Sequence, residues 1–325
     1  MDQQRECGYA VEQICQALGF QGLTVSARTY RGWKQRQPAC RAITDAQILN
    51  VLHDLQQPDP TTGRPRPEVL YGRRKMRAWL QRNDFPDVSK HTVDRLMRDA
   101  GMNGLVRGRR TVTTIRAKDT VRAKDLLNRN FYTDAPDKVW ITDFTYVPTG
   151  SGFTYVSFVI DLFSRRILSW ASSTSHDTEF VEEALRTALW HRRKGSGSRK
   201  SPVRGTVHHS DAGSEYTSQR YTQTLADEGL VPSIGSIGDA FDNAAAETVM
   251  GLFKNEAVAR DSPFRTGALV AKADVDDVVV EWVHWYNHAR LHSTLGYRTP
   301  VEFEELYYDE ITGTLPDVAA SKLAA

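Results

Sequence analysis

Val139-Trp140-Ile141-Thr142-Asp143-Phe144-Thr145-Tyr146-Val147 reads with the period of a β-strand, and the segments after it fix how that strand is used. Phe153 to Ile160 and Ile167 to Ala171 have the same character. Their links, Thr149-Gly150-Ser151-Gly152 and Ser164-Arg165-Arg166, are of turn length, which predicts three consecutive antiparallel strands. A helix is expected from Thr178 to about Arg193, then a loop rich in Gly, Ser and Lys, and a strand over Gly205 to Ser210. Ser218 to Glu228 reads as helical, and Val231-Pro232-Ser233-Ile234, a Gly-rich loop and a helix from about Asp242 to Val258 follow. An antiparallel trio followed by alternating helix and strand predicts an α/β domain with one mixed sheet and helices on its faces.

Three carboxylates stand out in that domain. Asp143 lies inside a strand whose neighbours Ile141, Phe144 and Val147 mark it as buried, where an ionised carboxylate is costly without a cation or hydrogen bonds. Asp211 follows Val207-His208-His209-Ser210 at the C-terminal end of the next strand, where mixed α/β sheets commonly place their sites. Glu247 sits about one turn into a helix among Ala244, Ala245 and Ala246, small residues that let the backbone approach another surface. Thirty-five residues separate Asp211 from Glu247, and Lys254 lies seven further on, nearly two turns, so it shares the helix face of Glu247. Hard oxygen ligands on three elements suit a pair of divalent cations, Mg²⁺ with Mn²⁺ able to substitute. Two such ions would activate the attacking oxygen and stabilise the leaving one.

Upstream the chain is helical and basic. Residues 1–130 hold 24 Lys and Arg against 13 Asp and Glu, whereas 131–325 hold 18 against 27, so a basic half precedes an acidic one. Tyr9 to Leu18 and Val25 to Lys34 have the helix, turn, helix rhythm of small DNA binders. Ala46 to Leu55, Arg66 to Leu80 and Ser89 to Ala100 read as three amphipathic helices. The last, capped by Ser89, turns Val93, Leu96, Met97 and Ala100 inward and leaves Lys90, His91, Arg95 and Arg98 outside, as a recognition helix would; an ordinary bundle helix with a solvated basic face is the bland alternative. Between Val106 and Asn130 eight basic residues, among them Arg107, Arg109, Arg110 and Arg116, face only Asp119 and Asp125, which reads as a linker that tracks DNA phosphates.

These residues resemble a known family. Trp140-Ile141-Thr142-Asp143-Phe144-Thr145-Tyr146, Asp161-Leu162-Phe163-Ser164-Arg165-Arg166, His209-Ser210-Asp211-Ala212-Gly213-Ser214-Glu215-Tyr216-Thr217-Ser218, Asp242-Asn243-Ala244-Ala245-Ala246-Glu247, Leu252-Phe253-Lys254-Asn255-Glu256 and Arg290-Leu291-His292-Ser293-Thr294-Leu295-Gly296-Tyr297 are similar to motifs of bacterial insertion-sequence transposases with a retroviral-integrase-type core. More narrowly, the chain resembles the second-frame product of the copy-out, paste-in family numbered three. Tyr71-Gly72-Arg73-Arg74 and Thr92-Val93-Asp94-Arg95-Leu96-Met97 extend the likeness upstream, so it covers roughly residues 8 to 305.

The resemblance implies an α/β catalytic core with a ribonuclease-H-like mixed five-stranded sheet and helices on both faces, preceded by an all-α helix-turn-helix region. It also implies that Asp143, Asp211 and Glu247 form a D,D,E triad that holds two metal ions, with Lys254 contacting the DNA end. The expected division is a helical segment over 1–43, a helix-turn-helix domain over 44–106, the basic linker over 107–131, the integrase core over 132–262 and a helical extension with a tail over 263–325. The expected partners are double-stranded DNA (the element's terminal inverted repeats and a target), further copies of the chain on DNA, and a first-frame product joined by frameshifting. That first-frame portion would add another helix-turn-helix and a leucine-zipper segment; no heptad run precedes residue 40 here.

Other signals weigh less. His284, His288 and His292 recur on an expected helix, Ala273 to Leu291, but stand among Trp282, Trp285 and Tyr286, so packing and DNA contact explain them better than a metal. His208 and His209 are expected to position the site rather than act as bases. Cys7, Cys15 and Cys40 form no C-x-x-C pair and read as reduced, partly buried thiols. With 40% hydrophobic and 25% charged residues, wholesale disorder is excluded. No apolar run approaches the roughly 18 to 20 residues of a membrane span, and the expected location is the bacterial cytoplasm, at the nucleoid. A non-catalytic DNA-binding regulator and a nuclease acting on RNA–DNA hybrids are the alternatives; the intact carboxylates and Lys254 oppose the first, the basic helical region the second.

Overall fold

The computed structural model describes residues 1–105, 123–127, 130–194, 203–235, 243–311 and 313, in two compact units, Met1–Val51 and Leu52–Ala325. The first unit holds α1 (Asp2–Glu6), α2 (Val11–Phe20), α3 (Ala27–Gln35) and most of α4 (Cys40–Gln56). Val11, Ile14 and Tyr30 are its buried apolar anchors. Asp2 accepts a hydrogen bond from the Tyr30 hydroxyl and pairs with Lys34 at 3.1 Å, tying α1 to α3. Cys15 is half-buried as expected, but Cys7 and Cys40 are exposed, because they lie at helix ends outside this small core.

In the second unit the single helix expected over Arg66 to Leu80 is broken. Pro67–Leu70 forms a 3-10 turn, Tyr71 is extended, and α5 (Arg73–Arg82) begins afterwards. Tertiary contacts explain the break. The Tyr71 ring stacks on Trp285 with centroids 6.0 Å apart; its hydroxyl donates to the Ala289 carbonyl at 3.2 Å and accepts the Leu291 N–H at 3.0 Å. Gly104, at φ 68°, lies so close to Tyr71 and Gly72 that a Cβ would come 2.6 Å from their backbone. The next helix, α6 (Lys90–Asp99), is capped as expected, with the Ser89 hydroxyl accepting the Thr92 N–H at 3.1 Å and Val93, Leu96 and Met97 buried.

The sheet consists of β1 (Val139–Thr149), β2 (Gly152–Asp161), β3 (Ile167–Ser173), β4 (Val207–Ser210) and β5 (Val231–Ile234) in the order β3-β2-β1-β4-β5. The first three are antiparallel neighbours, and β4 lies parallel to both β1 and β5. This is the mixed, ribonuclease-H-like sheet expected. Adjacent residues of β2 show that both faces are covered: Val159 joins the cluster with Trp140, Phe180 and Leu185, whereas Phe158 packs on Phe253 and Trp282 with centroids 5.3 and 5.8 Å away. The first face belongs to α7 (Thr178–Lys194), followed in sequence by α8 (Ser214–Thr217) and α9 (Gln219–Glu228). The second belongs to α10 (Ala244–Phe253) and α11 (Lys272–His288), and α12 (Pro300–Ile311) ends the described fold. No described helix is long and apolar enough to cross a membrane.

A buried charge network sits under the start of β1. The Asp137 carboxylate accepts the Trp140 indole N–H at 2.8 Å and pairs with Arg192 at 2.9 Å, while its own N–H donates to Asp161 at 2.8 Å. Arg192 also grips Glu304 of α12, which takes the Arg166 guanidinium at 3.1 Å and the Ser164 hydroxyl at 3.0 Å. Burial pushes the Asp161 carboxyl up to about 6 despite the charge of Arg192. Removing one partner would strand the rest without water, so Glu304→Leu is expected to lower unfolding free energy by about 3–5 kcal/mol in urea titrations. A loss under about 1 kcal/mol, the scale of an exposed pair, would show that this network does not anchor α12.

Candidate active site

Strand register brings the first two carboxylates together. β1 and β4 pair in parallel with Val139 opposite Val207, Trp140 opposite His208 and Ile141 opposite His209. Two residues further along each chain are Asp143 and Asp211, so the register carries both to one level at the C-terminal end of β4. Asp143 accepts its neighbour Phe144 N–H at 2.8 Å, and Asp211 accepts the Gly213 N–H at 3.1 Å. Gly213 has little room: a Cβ there would lie 3.1 Å from Asp211 Oδ1 and 3.0 Å from Glu215 Oε2.

Glu247 comes from the first turn of α10, where the N-terminal end of the helix dipole favours a negative charge. Buried Asn243, just before α10, aims its amide at the Thr142 carbonyl of β1, 3.5 Å away. That contact sets the helix start beside Asp143. The three carboxyl groups feel one another. Burial, then the charge of Asp211 and that of Glu247, hold the Asp143 carboxyl well above the usual range, although the residue keeps partial solvent exposure. Asp211 is raised by burial and by Glu215 and Glu247, against the Gly213 N–H. Among the described residues no three His, Cys, Asp or Glu side chains stand ready-made around one metal position. The donor set nevertheless suits a divalent cation: carboxylate oxygens from three elements, with a mutual repulsion that a cation would relieve.

Lys254 follows α10 and opens a π-helical turn, Lys254–Val258, within what sequence pattern presents as one continuous helix. The turn aims Glu256 inward, where it takes Arg290 in a buried ion pair at 2.5 Å and the Trp282 indole N–H at 3.3 Å. The Lys254 ammonium lies over the Tyr146 ring, 4.7 Å from its centroid. Its charge still reaches Asp143, partly offsetting the carboxyl shift there, while burial lowers its own pKa.

Of the other anticipated contacts, Lys90, His91 and Arg98 are exposed on α6 and Arg95 is half-buried. Two of them are partly neutralised within the domain: Arg95 pairs with Asp99 at 3.8 Å and Arg98 with Asp94 at 3.2 Å, and Asp94 also takes Arg73 at 2.8 Å. Arg107, Arg109, Arg110 and Arg116 lie outside the described residues. His208 is buried on Tyr221 at 3.1 Å and burial drives its pKa down to about 3, so it stays neutral; His209 contacts the Ser233 hydroxyl at 2.9 Å. His284 and His288 stack on each other at 4.6 Å, and buried His292 packs on Tyr286. Reading by carboxylates alone missed Glu215, held by His176 at 2.9 Å beside Asp211, and Tyr146. Glu215 is four residues from Asp211 within a quoted motif, which is the signal that could have found it.

Comparison with known proteins identifies the family. The integrase core domain family matches residues 133–240 and, through a second description of the same name, 228–300. An HTH-like domain family matches residues 63–110. The putative transposase for insertion sequence element IS986/IS6110 of Mycobacterium tuberculosis (strain CDC 1551 / Oshkosh) is 36% identical over 286 residues, 88% of this chain and 97% of that one. The transposase for insertion sequence element IS629 of Shigella sonnei is 44% identical over 242 residues, 74% of this chain and 76% of that one. The chain therefore belongs to the insertion-sequence transposases, with an integrase core behind an HTH-like domain, and is a DDE transposase, a polynucleotidyl transferase.

Proposed function

We propose that Asp143, Asp211 and Glu247 are the D,D,E carboxylates, and that the chain uses them to cut DNA at the ends of its own element and to join the exposed 3′-OH elsewhere. The observation that supports this most is the β1–β4 register, which levels Asp143 with Asp211, together with the charge of Glu247 felt at both. In the first reaction water attacks the phosphodiester at an element end; the P–O3′ bond breaks and a 3′-OH leaves. In the second that hydroxyl attacks another phosphodiester in line, forming a new P–O3′ bond while the P–O3′ bond of the attacked strand breaks and its 3′-OH leaves, so no enzyme-linked intermediate forms. Two divalent cations, Mg²⁺ or Mn²⁺, held by Asp143, Asp211 and Glu247, would supply Lewis acidity for the attacking and leaving oxygens. The chain's own part is to fix those carboxylates, to hold His208 neutral out of the proton traffic, and to aim Lys254 at a phosphate near the one being cut.

Recognition falls to the helical region in this reading: residues 1–43 and 44–106, with Lys90, His91, Arg95 and Arg98 facing the duplex and the basic linker over 107–131, including Arg107, Arg109, Arg110 and Arg116, tracking the backbone. The core over 132–262 performs the chemistry and 263–325 supports it. The resemblance of its motifs supports reading the chain as a second-frame product of the copy-out, paste-in family numbered three, which would act as several copies on the two ends, joined by frameshifting to a first-frame portion, in the bacterial cytoplasm. Under that assignment the ends are first joined into a circle, which is later inserted.

The test is cleavage and joining of labelled element ends. Asp143→Asn, Asp211→Asn and Glu247→Gln should each abolish both reactions while leaving DNA affinity within a few-fold, because phosphate contacts elsewhere dominate binding. A single variant that joins ends at a near-normal rate removes that residue from the triad. Ca²⁺ should support binding with little chemistry, since its longer and looser coordination does not align the attacking oxygen.

Lys254→Ala should be milder, slowing end cleavage while Lys254→Arg keeps more activity, because a point charge near the phosphate is what is lost. Salt titrations check this: Lys254→Ala should flatten the dependence of affinity on salt by about one phosphate's worth. Unchanged rate and slope would leave Lys254 as a surface charge.

A further inference from the structure

Glu215 is buried without the partner that its burial calls for. It lies in α8, four residues past Asp211, and is 7% exposed. Buried Glu182, Glu256 and Glu304 each meet an arginine, Arg220 at 2.5 Å, Arg290 at 2.5 Å and Arg192 at 2.9 Å. Among the described residues the Glu215 carboxylate bonds only His176, whose Nδ1 stands 2.9 Å from Oε1 and whose side chain is 60% exposed. Taking a carboxylate out of water with so little compensation is costly, and a second carboxylate nearby raises the cost. That second group is Asp211, whose carboxyl is held above its usual range by burial and by the charges of Glu215 and Glu247.

The uncompensated oxygen faces Asp211. Bonding to His176 through Oε1 leaves Oε2 on the Gly213 side, where a Cβ on Gly213 would lie 3.0 Å from it and 3.1 Å from Asp211 Oδ1. Those two oxygens are therefore at most about 6 Å apart. Mg²⁺ sits about 2 Å from its ligands and keeps several of its waters, so one ion on Asp211 reaches across such a gap through a single water. Groups that bond the surroundings of an ion rather than the ion itself still orient it and add to its affinity. His176 keeps Glu215 in place for that task. It comes from the loop between β3 and α7, and its ring meets Tyr155 with centroids 5.4 Å apart. The residues on either side of it are joined by a 2.6 Å bond from the Ser175 hydroxyl to Asp177.

We propose that Glu215, braced by His176, is a fourth carboxylate of the site: it takes the water shell of the divalent cation held by Asp211, orients that shell and strengthens the hold on the ion. This rests on the reading of Asp143, Asp211 and Glu247 as the cation-binding triad. Glu215 is a positioning residue and does not touch the reacting phosphodiester.

The first measurement is Mn²⁺ binding to the full chain without DNA, by titration calorimetry. Glu215→Gln, which keeps the side chain's size and an acceptor for His176, should weaken Mn²⁺ binding about 10- to 100-fold. Glu215→Asp, which keeps the charge and shortens the reach, should fall between Glu215→Gln and wild type. Stability without metal separates this from a purely structural role. Because Glu215→Gln removes a like charge beside Asp211, its Tm in EDTA should equal or exceed that of wild type. With labelled element ends, the Mg²⁺ concentration at half-maximal cleavage should rise by a factor similar to the loss of Mn²⁺ affinity. Unchanged Mn²⁺ affinity in Glu215→Gln, or a lower Tm in EDTA with an unchanged Mg²⁺ midpoint, would overturn the proposal and leave Glu215 as part of the fold alone. Should Glu215→Gln fold poorly, His176→Gln goes through the same titrations: weaker Mn²⁺ binding supports the braced carboxylate, and wild-type binding counts against it. Normal cleavage by Asp143→Asn would instead fault the choice of triad, whereas an inactive Asp143→Asn beside a Glu215→Gln that binds Mn²⁺ as wild type does would fault the fourth carboxylate alone.

Discussion

The buried pairing of Asp137 with Arg192 is the contact on which the site depends. It fixes the chain at the start of β1, where Asp137 adopts a positive φ of 60° that only a well-determined surrounding sustains. From that point the Asp137 carbonyl accepts the Thr206 hydroxyl at 2.6 Å and the Lys138 carbonyl accepts the Val207 N–H at 2.9 Å. Those bonds set β4 against β1, and the register in turn levels Asp143 with Asp211. Arg192 reaches the network from α7 and Glu304 from α12. A one-residue slip of β4 would send Asp211 to the opposite face of the sheet, so the ion pair in effect specifies where the two aspartates meet.

Much of this was legible in the sequence, and the reason is local. Asp143 shows itself because a carboxylate in an apolar strand has no structural excuse, and Glu247 because it follows a start signal in a run of alanines. The strand, turn and helix order follows from periodicities of a few residues. What stayed hidden depends on distant partners. Asp161 and Arg166 are visible as part of a motif, but their role requires Glu304, more than 130 residues away in sequence, to arrive on α12. The break at Tyr71 is equally invisible, since helical periodicity runs through it and only Trp285, Ala289 and Leu291 overrule it. The acidic partners on α6 are a different case: Asp94 and Asp99 stand four residues from Arg98 and Arg95, so their pairing is readable by spacing.

The same dependence on distant partners explains the π-helical turn at Lys254. An α-helix continued through Asn255 and Glu256 would carry the Glu256 carboxylate past the inward direction; the widened turn instead aims it at Arg290, in a pair where both side chains are almost wholly buried. Arg290 belongs to the segment that also supplies Leu291 to the Tyr71 hydroxyl. One short stretch, Ala289 to Leu291, therefore holds both the end of the helix that carries Glu247 and the start of the HTH-like domain.

A short strand next to a long one leaves the aspartate level of the sheet unpaired. β4 ends at Ser210, whereas β1 runs on to Thr149, and β4 pairs with β1 only from Val139 to Ile141. Asp143 and Asp211 lie just past that pairing, where the two strands no longer hydrogen-bond, at the strand ends where mixed α/β sheets commonly place their sites. A longer β4 would bind the two aspartates more rigidly but, in the reading proposed above, would fill the space a phosphodiester needs. With pairing this short, alignment has to come from outside the ladder: from Asp137 and Arg192 at the base, Gly213 on one side and Asn243 on the other. Burial and mutual repulsion then leave the carboxylates of Asp143 and Asp211 reluctant to ionise together. In the reading proposed above, a divalent cation held there would remove that reluctance, so the mutual repulsion would favour the loaded site over the empty one.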